Sequence, residues 1–344
     1  MPNSPFRAQA RWQAGWCRAL GSPFTAALCD LIADRLSASS PLGRRLDQWP
    51  GNIHDDALTL RVTGALHGRV RSGKAPALAA LYPPHPMPDA DRLWAGLEPE
   101  LNLSLIGPWL DLPPQTNEVA RSSTLMPGFM TIAAETGLPL ALFELGCSGG
   151  LNLLPDRYAY RLGTLSAGDP DSLLQLTPDW MGPNPPNADV VIFSRLGVDL
   201  SPPNLADPAE RARMLAYVWA DQTDRLERMA LAMAIAAEDM PEIVTGDAAD
   251  FVEAHVKPCD GVVTTVFHSI AMQYFPESAK ARIQRHLARM GAQATAAAPL
   301  AWLRLEQENP GAGEPPTLRL TLWPGGEDRL LARAHPHGQI VSWI

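Results

Sequence analysis

The fold turns on one stretch: Leu140-Ala141-Leu142-Phe143-Glu144-Leu145-Gly146-Cys147-Ser148-Gly149-Gly150-Leu151-Asn152. The first six residues form a short apolar run ended by glycines, which reads as a buried strand. The glycines that follow read as a strand-to-helix turn, and a helix is predicted to begin over 149–155. Such a turn lets a ligand approach the backbone, and the helix start beyond it offers unpaired N–H groups. Upstream of Leu140 no strand pattern occurs. Helices are predicted over 6–20, 24–36 (after the Ser22-Pro23 cap) and 54–71, separated by proline-rich loops. Downstream the elements alternate: a strand at 190–193, one long helix over 208–237 opened by Asp207-Pro208, a strand at 242–245, a short helix to His255, a strand at 261–267, a helix over 277–290 and a strand at 300–305. Residues 317–323 and 340–343 read as a hairpin pair. This order predicts an α/β fold: a doubly wound, mostly parallel sheet with antiparallel C-terminal strands, plus an N-terminal all-helical cap domain. The expected division is 1–126 and 127–344.

The chain of 344 residues, 46% hydrophobic, is long enough to bury a substantial core. Its 34 prolines mark turns and helix stops in a globular sequence. Net charge is −9, and the imbalance lies in one half. Residues 1–126 carry 12 basic and 11 acidic side chains, residues 127–344 carry 16 and 26. An acidic α/β half argues against a nucleic-acid partner, because phosphate binding needs a basic surface. The four cysteines have no C-x-x-C spacing, and His335 and His337 are the nearest approach to a ligand pair, so no metal site is expected. The start lacks an apolar signal core and no run suits a membrane span. A soluble, cytoplasmic protein with a small-molecule partner is the expectation; the oligomeric state is not legible.

Open α/β sheets bind ligands at the carboxyl ends of their strands. Four such ends carry suitable residues. The first supplies Glu144, Gly146, Ser148, Gly149, Gly150 and Asn152. The second, Gly197-Val198-Asp199, supplies an acid suited to two ribose hydroxyls. The third, Gly246-Asp247-Ala248, offers a carboxylate and a backbone N–H for an adenine edge. The fourth ends in His268, whose ordinary pKa suits a general base, with Tyr274 on the following turn as a second candidate. The polar run 115–121 is expected to fold over the same edge. There Arg121 would fork onto a cofactor carboxylate, while Asn117 and Glu118 face the substrate.

Glu144-x-Gly146-x-x-x-Gly150, an acid after the next strand and Gly-Asp-Ala after the third resemble the class I S-adenosylmethionine-dependent methyltransferases over 138–344. Two departures stand out. Ser148 replaces the middle glycine, and about 50 residues separate Gly150 from Asp199 where such folds use about 20. The resemblance therefore implies an insertion near 158–187. It also implies S-adenosylmethionine as cofactor and methyl transfer to an oxygen or nitrogen of a small molecule. A second resemblance runs nearly end to end. Leu66-His67-Gly68-Arg69, Gln115 to Ser122, Glu144 to Asp156, Val218-Trp219-Ala220-Asp221-Gln222 with Arg225, and His268-Ser269 resemble an uncharacterised bacterial family, domain of unknown function 2332, which implies no activity. Two alternatives remain open. Gly146-Cys147-Ser148-Gly149-Gly150 also matches the G-x-S-x-G nucleophile elbow, with Ser148 as nucleophile and His268, His335 or His337 as its base, although that fold places several strands before the elbow. The third reading is a non-catalytic nucleotide-binding domain.

Overall fold

A computed structural model describes residues 4–308 and 314–344; the first three residues of the N-terminal stretch read above lie outside them. The chain divides into two compact units, Met1–Thr116 with Asp207–Glu227, and Asn117–Ala206 with Arg228–Ile344.

The first unit is helical. It contains α1 (Pro5–Ala19), α2 (Pro23–Arg35), α3 (Pro41–Asp47), α4 (Leu58–Arg71), α5 (Pro76–Ala79), α6 (Ala90–Leu97) and α7 (Leu103–Leu110). After α8 (Ser122–Thr136), which belongs to the other unit, the chain returns with α9 (Pro208–Tyr217). Five of the 34 prolines open α-helices. Proline opens α1, α2, α3, α5 and α9. At that position its missing N–H has no partner to lose. Ser4, Ser40 and Asp207 add side-chain caps to α1, α3 and α9. Leu28, Ile32, Leu42, Leu46, Val62 and Leu66 build the core between these helices.

Two of the sequence segments singled out above explain why 207–227 joins this unit. His67 Nδ1 lies 3.1 Å from Ala216 O and 3.0 Å from Val218 O. The Tyr217 ring occupies the space a Cβ at Gly64 would fill, at 2.7 Å. The Asp221 carboxylate accepts hydrogen bonds from Phe24 N at 2.8 Å and from Ser22 Oγ, so it caps α2 from a distant part of the chain. These contacts break the long helix expected over 208–237. Val218 is extended (φ −70, ψ 134), and α10 (Thr223–Glu238) starts after the 218–222 bend. The division falls after Thr116, ten residues earlier than the sequence suggested, because Asn117 and Ser122 bond to residues near the glycine turn.

Burial, with help from the Arg71 charge, pushes the His67 pKa down to about 4 against the hydrogen bonding of the ring to the Ala216 and Val218 carbonyls. A histidine with a depressed folded pKa stabilises above its unfolded value and loses that stability as pH falls. The window runs from about 6.5 to about 4 and is worth about 3 kcal/mol. Urea unfolding of the helical unit at neutral pH and at about pH 4.5 is expected to show this loss, and His67→Asn is expected to remove most of it. An equal acid loss in that variant would rule out His67 as its source.

The second unit is an α/β unit with a nine-stranded, mostly parallel sheet. Along the chain its strands are β1 (Leu140–Leu145), then β2 (Ala159–Leu162), β3 (Leu165–Gly168) and β4 (Gln175–Leu176) in a separate three-stranded sheet, then β5 (Asp179–Met181) and β6 (Ile192–Asp199). They continue with β7 (Glu242–Thr245), β8 (Val263–Ser269), β9 (Leu300–Glu306), β10 (Thr317–Trp323), β11 (Glu327–Ala334) and β12 (Ile340–Trp343). The order is β5-β12-β11-β10-β9-β8-β1-β6-β7. The run from β9 to β7 is parallel, and β9 to β12 form an antiparallel meander. The expected 317–323 and 340–343 hairpin is thus corrected: β11 lies between them and pairs with both.

Side chains alternate across a sheet, so register assigns them to faces. Phe143, Val266 and Trp302 meet α11 (Ala248–His255) and α12 (Glu277–Gly291). Phe267 and Leu303 meet α8, with Phe129 edge-on to Phe267 at 5.2 Å and Leu303 against Gly128. Among the described residues no helix is long and apolar enough to cross a membrane.

Candidate functional site

In the parallel run the strand order changes direction between β1 and β8, the place where open α/β sheets open a crevice at their carboxyl edge. The glycine turn leaves β1 there. Gly146, Ser148 and Gly150 all have positive φ, at 67°, 51° and 71°. Gly146 N and Cys147 N donate to Val198 O at 2.9 and 3.1 Å, which folds the turn toward β6. Gly197 permits that approach, because a Cβ there would lie 2.6 Å from Cys147 Sγ. Asp199 then fixes the turn: its Oδ2 accepts from Ser148 N and its Oδ1 from Ser201 N, each at 2.9 Å.

No α-helix follows. Two 3-10 turns, Leu151–Leu153 and Pro155–Arg157, replace the helix expected over 149–155. Leu151 N donates to Asn117 Oδ1 at 2.9 Å, so an N–H expected to face a ligand is used internally. Tyr158 and Tyr160 donate their hydroxyl protons to Leu151 O and Pro155 O at 2.6 and 2.8 Å. Arg195 forks onto Asp156 at 3.0 and 2.9 Å. The expected insertion supplies these tyrosines from its own start, Tyr158 just before β2 and Tyr160 on it.

Beneath the turn sits Glu144. Its Cα partners are Gly197 on β6 and Phe267 on β8, so it points to the α8 face. It is 2% exposed, and its Oε2 is buried with no hydrogen-bond partner among the described residues. Burial first, and the Asp199 charge second, push its carboxyl well above the usual range, against the opposing influence of Asn152 and Arg121. Asn152, 1% exposed, accepts from Ser122 Oγ at 2.8 Å. An acid, an amide and a hydroxyl thus form a buried polar group beside the turn.

The remaining expected residues are distributed differently. His268 is one residue beyond the partner of Glu144 on β8, so its side chain lies on the opposite face. There Trp302 Nε1 donates to its Nε2 at 3.1 Å and its Nδ1 meets Glu306 Oε1 at 2.7 Å. The sheet therefore separates His268 from Glu144, and protein partners take both ring nitrogens. Tyr274 is 68% exposed on a 3-10 turn. Glu118 is buried, accepts from Ala120 N at 3.2 Å and lies 3.8 Å from Arg228 Nη1. Arg121 does reach the carboxyl edge, but it donates to Ser269 O and Pro336 O, both at 2.9 Å. Asp247 caps α11 through Ala249 N and Asp250 N, and Ala248 is buried as the first residue of that helix. Gly149 faces a cleft of about 250 Å³, bounded by residues 202–205 and by Met240, Pro241 and Ile243. His335 and His337 lie in the turn between β11 and β12, where His337 N donates to His335 Nδ1 at 3.1 Å. Sequence reading missed Glu306. The signal was available, since Glu306 is an acid at a strand end like Asp199, but the strand was expected to stop at Leu305.

Ser148 holds a left-handed backbone that favours glycine. Ser148→Gly is therefore expected to stabilise the α/β unit by about 0.5–1 kcal/mol. Denaturant unfolding measures this directly; a loss above about 1 kcal/mol would mean the hydroxyl matters more than the strain.

Fold and site together define a two-unit α/β protein with a glycine turn at the switch point of a mostly parallel sheet and a buried carboxyl beneath that turn. The chain belongs to the family described as "Uncharacterized protein conserved in bacteria (DUF2332)", whose model matches residues 7–343. No curated protein matches it.

Proposed function

We propose that the α/β unit binds S-adenosylmethionine at the glycine turn and transfers its methyl group to an oxygen or nitrogen of a small molecule. The observation that carries this reading is Glu144 Oε2, a buried carboxyl oxygen without a partner at the switch-point edge of the sheet. Buried polar atoms are nearly always satisfied, and an exception at a strand end calls for a group that the protein itself does not supply. An ammonium group answers both features of Glu144. It would donate to Oε2, and its charge would return the carboxyl to the ionised form that burial disfavours.

The strand order supports the reading as well, with acids at the ends of β1 and β6 on either side of the turn. The cofactor supplies an electrophilic methyl on a sulfonium centre; the protein's part is orientation and exclusion of water. Glu144 would hold the amino-acid end, while Asp199 keeps the turn in shape through Ser148 N. The reading assigns no proton transfer to His268. Glu118 is buried on the segment that leads to Arg121. The nucleophile-elbow alternative loses support, because that motif needs an α-helix after the turn and here 3-10 turns follow.

Titration calorimetry with S-adenosylmethionine, S-adenosylhomocysteine and NAD tests the proposal. Saturable binding of the first two, with none of NAD, is expected. No heat and no thermal shift with either at millimolar concentration, or fluorophosphonate labelling of Ser148, would end it.

A further inference from the structure

The connection between β8 and α12 carries a cluster that the proposed methyl transfer does not use. Glu306 ends β9, and its Oε1 accepts three hydrogen bonds: from His268 Nδ1 at 2.7 Å, Ala271 N at 3.0 Å and Met272 N at 3.1 Å. The proton on His268 is assigned by its other neighbour. Trp302 Nε1 can only donate, so His268 Nε2 accepts and Nδ1 carries the hydrogen directed at Glu306. The Arg304 guanidinium covers the Trp302 ring at 4.2 Å. His268 is 1% exposed and the Glu306 side chain 16%. Burial alone would raise the Glu306 carboxyl, but His268 and the two backbone N–H groups hold it below the usual range.

The segment held in this way is unusual. Ile270 has φ +50, a left-handed backbone that β-branched residues rarely adopt. The Ala271 methyl lies 2.8 Å from where a Cβ on Gly146 would be, and the Phe275 ring 3.5 Å from it. On the other side of Ile270, Arg121 Nη1 holds Ser269 O. A carboxylate thus grips the N–H groups of the loop while a guanidinium grips its carbonyl, and the loop between them packs on the glycine turn.

We infer that Glu306 is a positioning residue: it locks residues 270–272 against Gly146 and so sets one wall of the ligand site. The ligand part of this inference rests on the proposed cofactor binding; the locking does not.

Amide hydrogen exchange at Ala271 and Met272 in the ligand-free protein tests the locking. Glu306→Ala is expected to speed exchange at both by about tenfold or more, the scale of lost charge-assisted hydrogen bonds. Glu306→Gln keeps an acceptor oxygen and is expected to restore most of the protection. S-adenosylhomocysteine calorimetry on the same proteins tests the wall. The Kd is expected to rise about tenfold in Glu306→Ala and to recover in Glu306→Gln. If the unaltered protein binds no S-adenosylhomocysteine, the proposed function fails while exchange still decides the locking. Unchanged exchange in Glu306→Ala overturns the locking, and faster exchange with unchanged Kd overturns the wall. Should Glu306→Ala not fold, the nitrogen-15 shifts of His268 in the unaltered protein decide: Nδ1 protonation is expected, and Nε2 protonation overturns the inference.

Discussion

Glu144→Leu is expected to make the ligand-free protein more stable and to cost it the ligand. The buried, unpartnered Oε2 costs about 1–3 kcal/mol, and an apolar side chain of similar size removes that cost. The gain should depend on pH with a definite sign. The folded carboxyl has a raised pKa, so its penalty is small near the ordinary value of 4.5 and grows as pH rises above it. The advantage of Glu144→Leu is therefore expected to be larger at about pH 8 than at about pH 5. Affinity for S-adenosylhomocysteine is expected to fall by about 1.5–3 kcal/mol, the worth of a hydrogen bond to a charged group. Urea unfolding at the two pH values, with calorimetry on the same samples, checks both halves. A less stable Glu144→Leu would mean that Oε2 has a partner after all. A more stable variant with unchanged affinity would remove Glu144 from the site.

Gly338→Ala is expected to be severely destabilising, because Gly338 is buried in the turn between β11 and β12 and lies against the backbone of 120–121. A Cβ there would fall 2.2 Å from Ala120 O, 2.4 Å from Ala120 C and 2.8 Å from Arg121 N. All three are backbone atoms, so nothing flexible can move aside. The same turn supplies Pro336 O to Arg121, so relief by displacement would also unseat that side chain. A loss above about 3 kcal/mol is expected, at the upper end of what a single substitution costs. Gly261→Ala is the matched control. It too has positive φ, +80°, but no atom lies within 4 Å of the added Cβ. It should cost only the backbone strain, about 1–2 kcal/mol. Equal losses in the two variants would show that the close approach at Gly338 is unimportant.

Much of the α/β unit was legible because its signals are local. The strands at 242–245 and 317–323 and the helix ending at His255 have the expected bounds, each set by a glycine, proline or cap within a few residues. What escaped was set by distant partners. Nothing near 208–237 announces that Asp221 caps α2 or that His67 fastens two carbonyls there. In 151–157 only Pro155 speaks locally against a helix; Asn117, Tyr158 and Tyr160 complete the break by claiming backbone groups. The candidate site divides in the same way. Strand ends placed Glu144, Asp199 and the glycine turn at one edge. Whether a side chain at a strand end faces one side or the other depends on register, and a shift of one residue puts His268 across the sheet from Glu144.

The route of the chain through the helical unit constrains how that unit can be made. A nascent protein stopped at Thr116 has α1 to α7 but lacks the α9 segment, Asp221 and the carbonyls that hold His67. The N-terminal unit closes only when residue 227 has left the ribosome, long after its first half has emerged. At ordinary elongation rates that wait is roughly 5–20 s. During this interval the seat for Tyr217 beside Gly64 is uncovered, and exposed apolar surface of this kind favours association in incomplete chains.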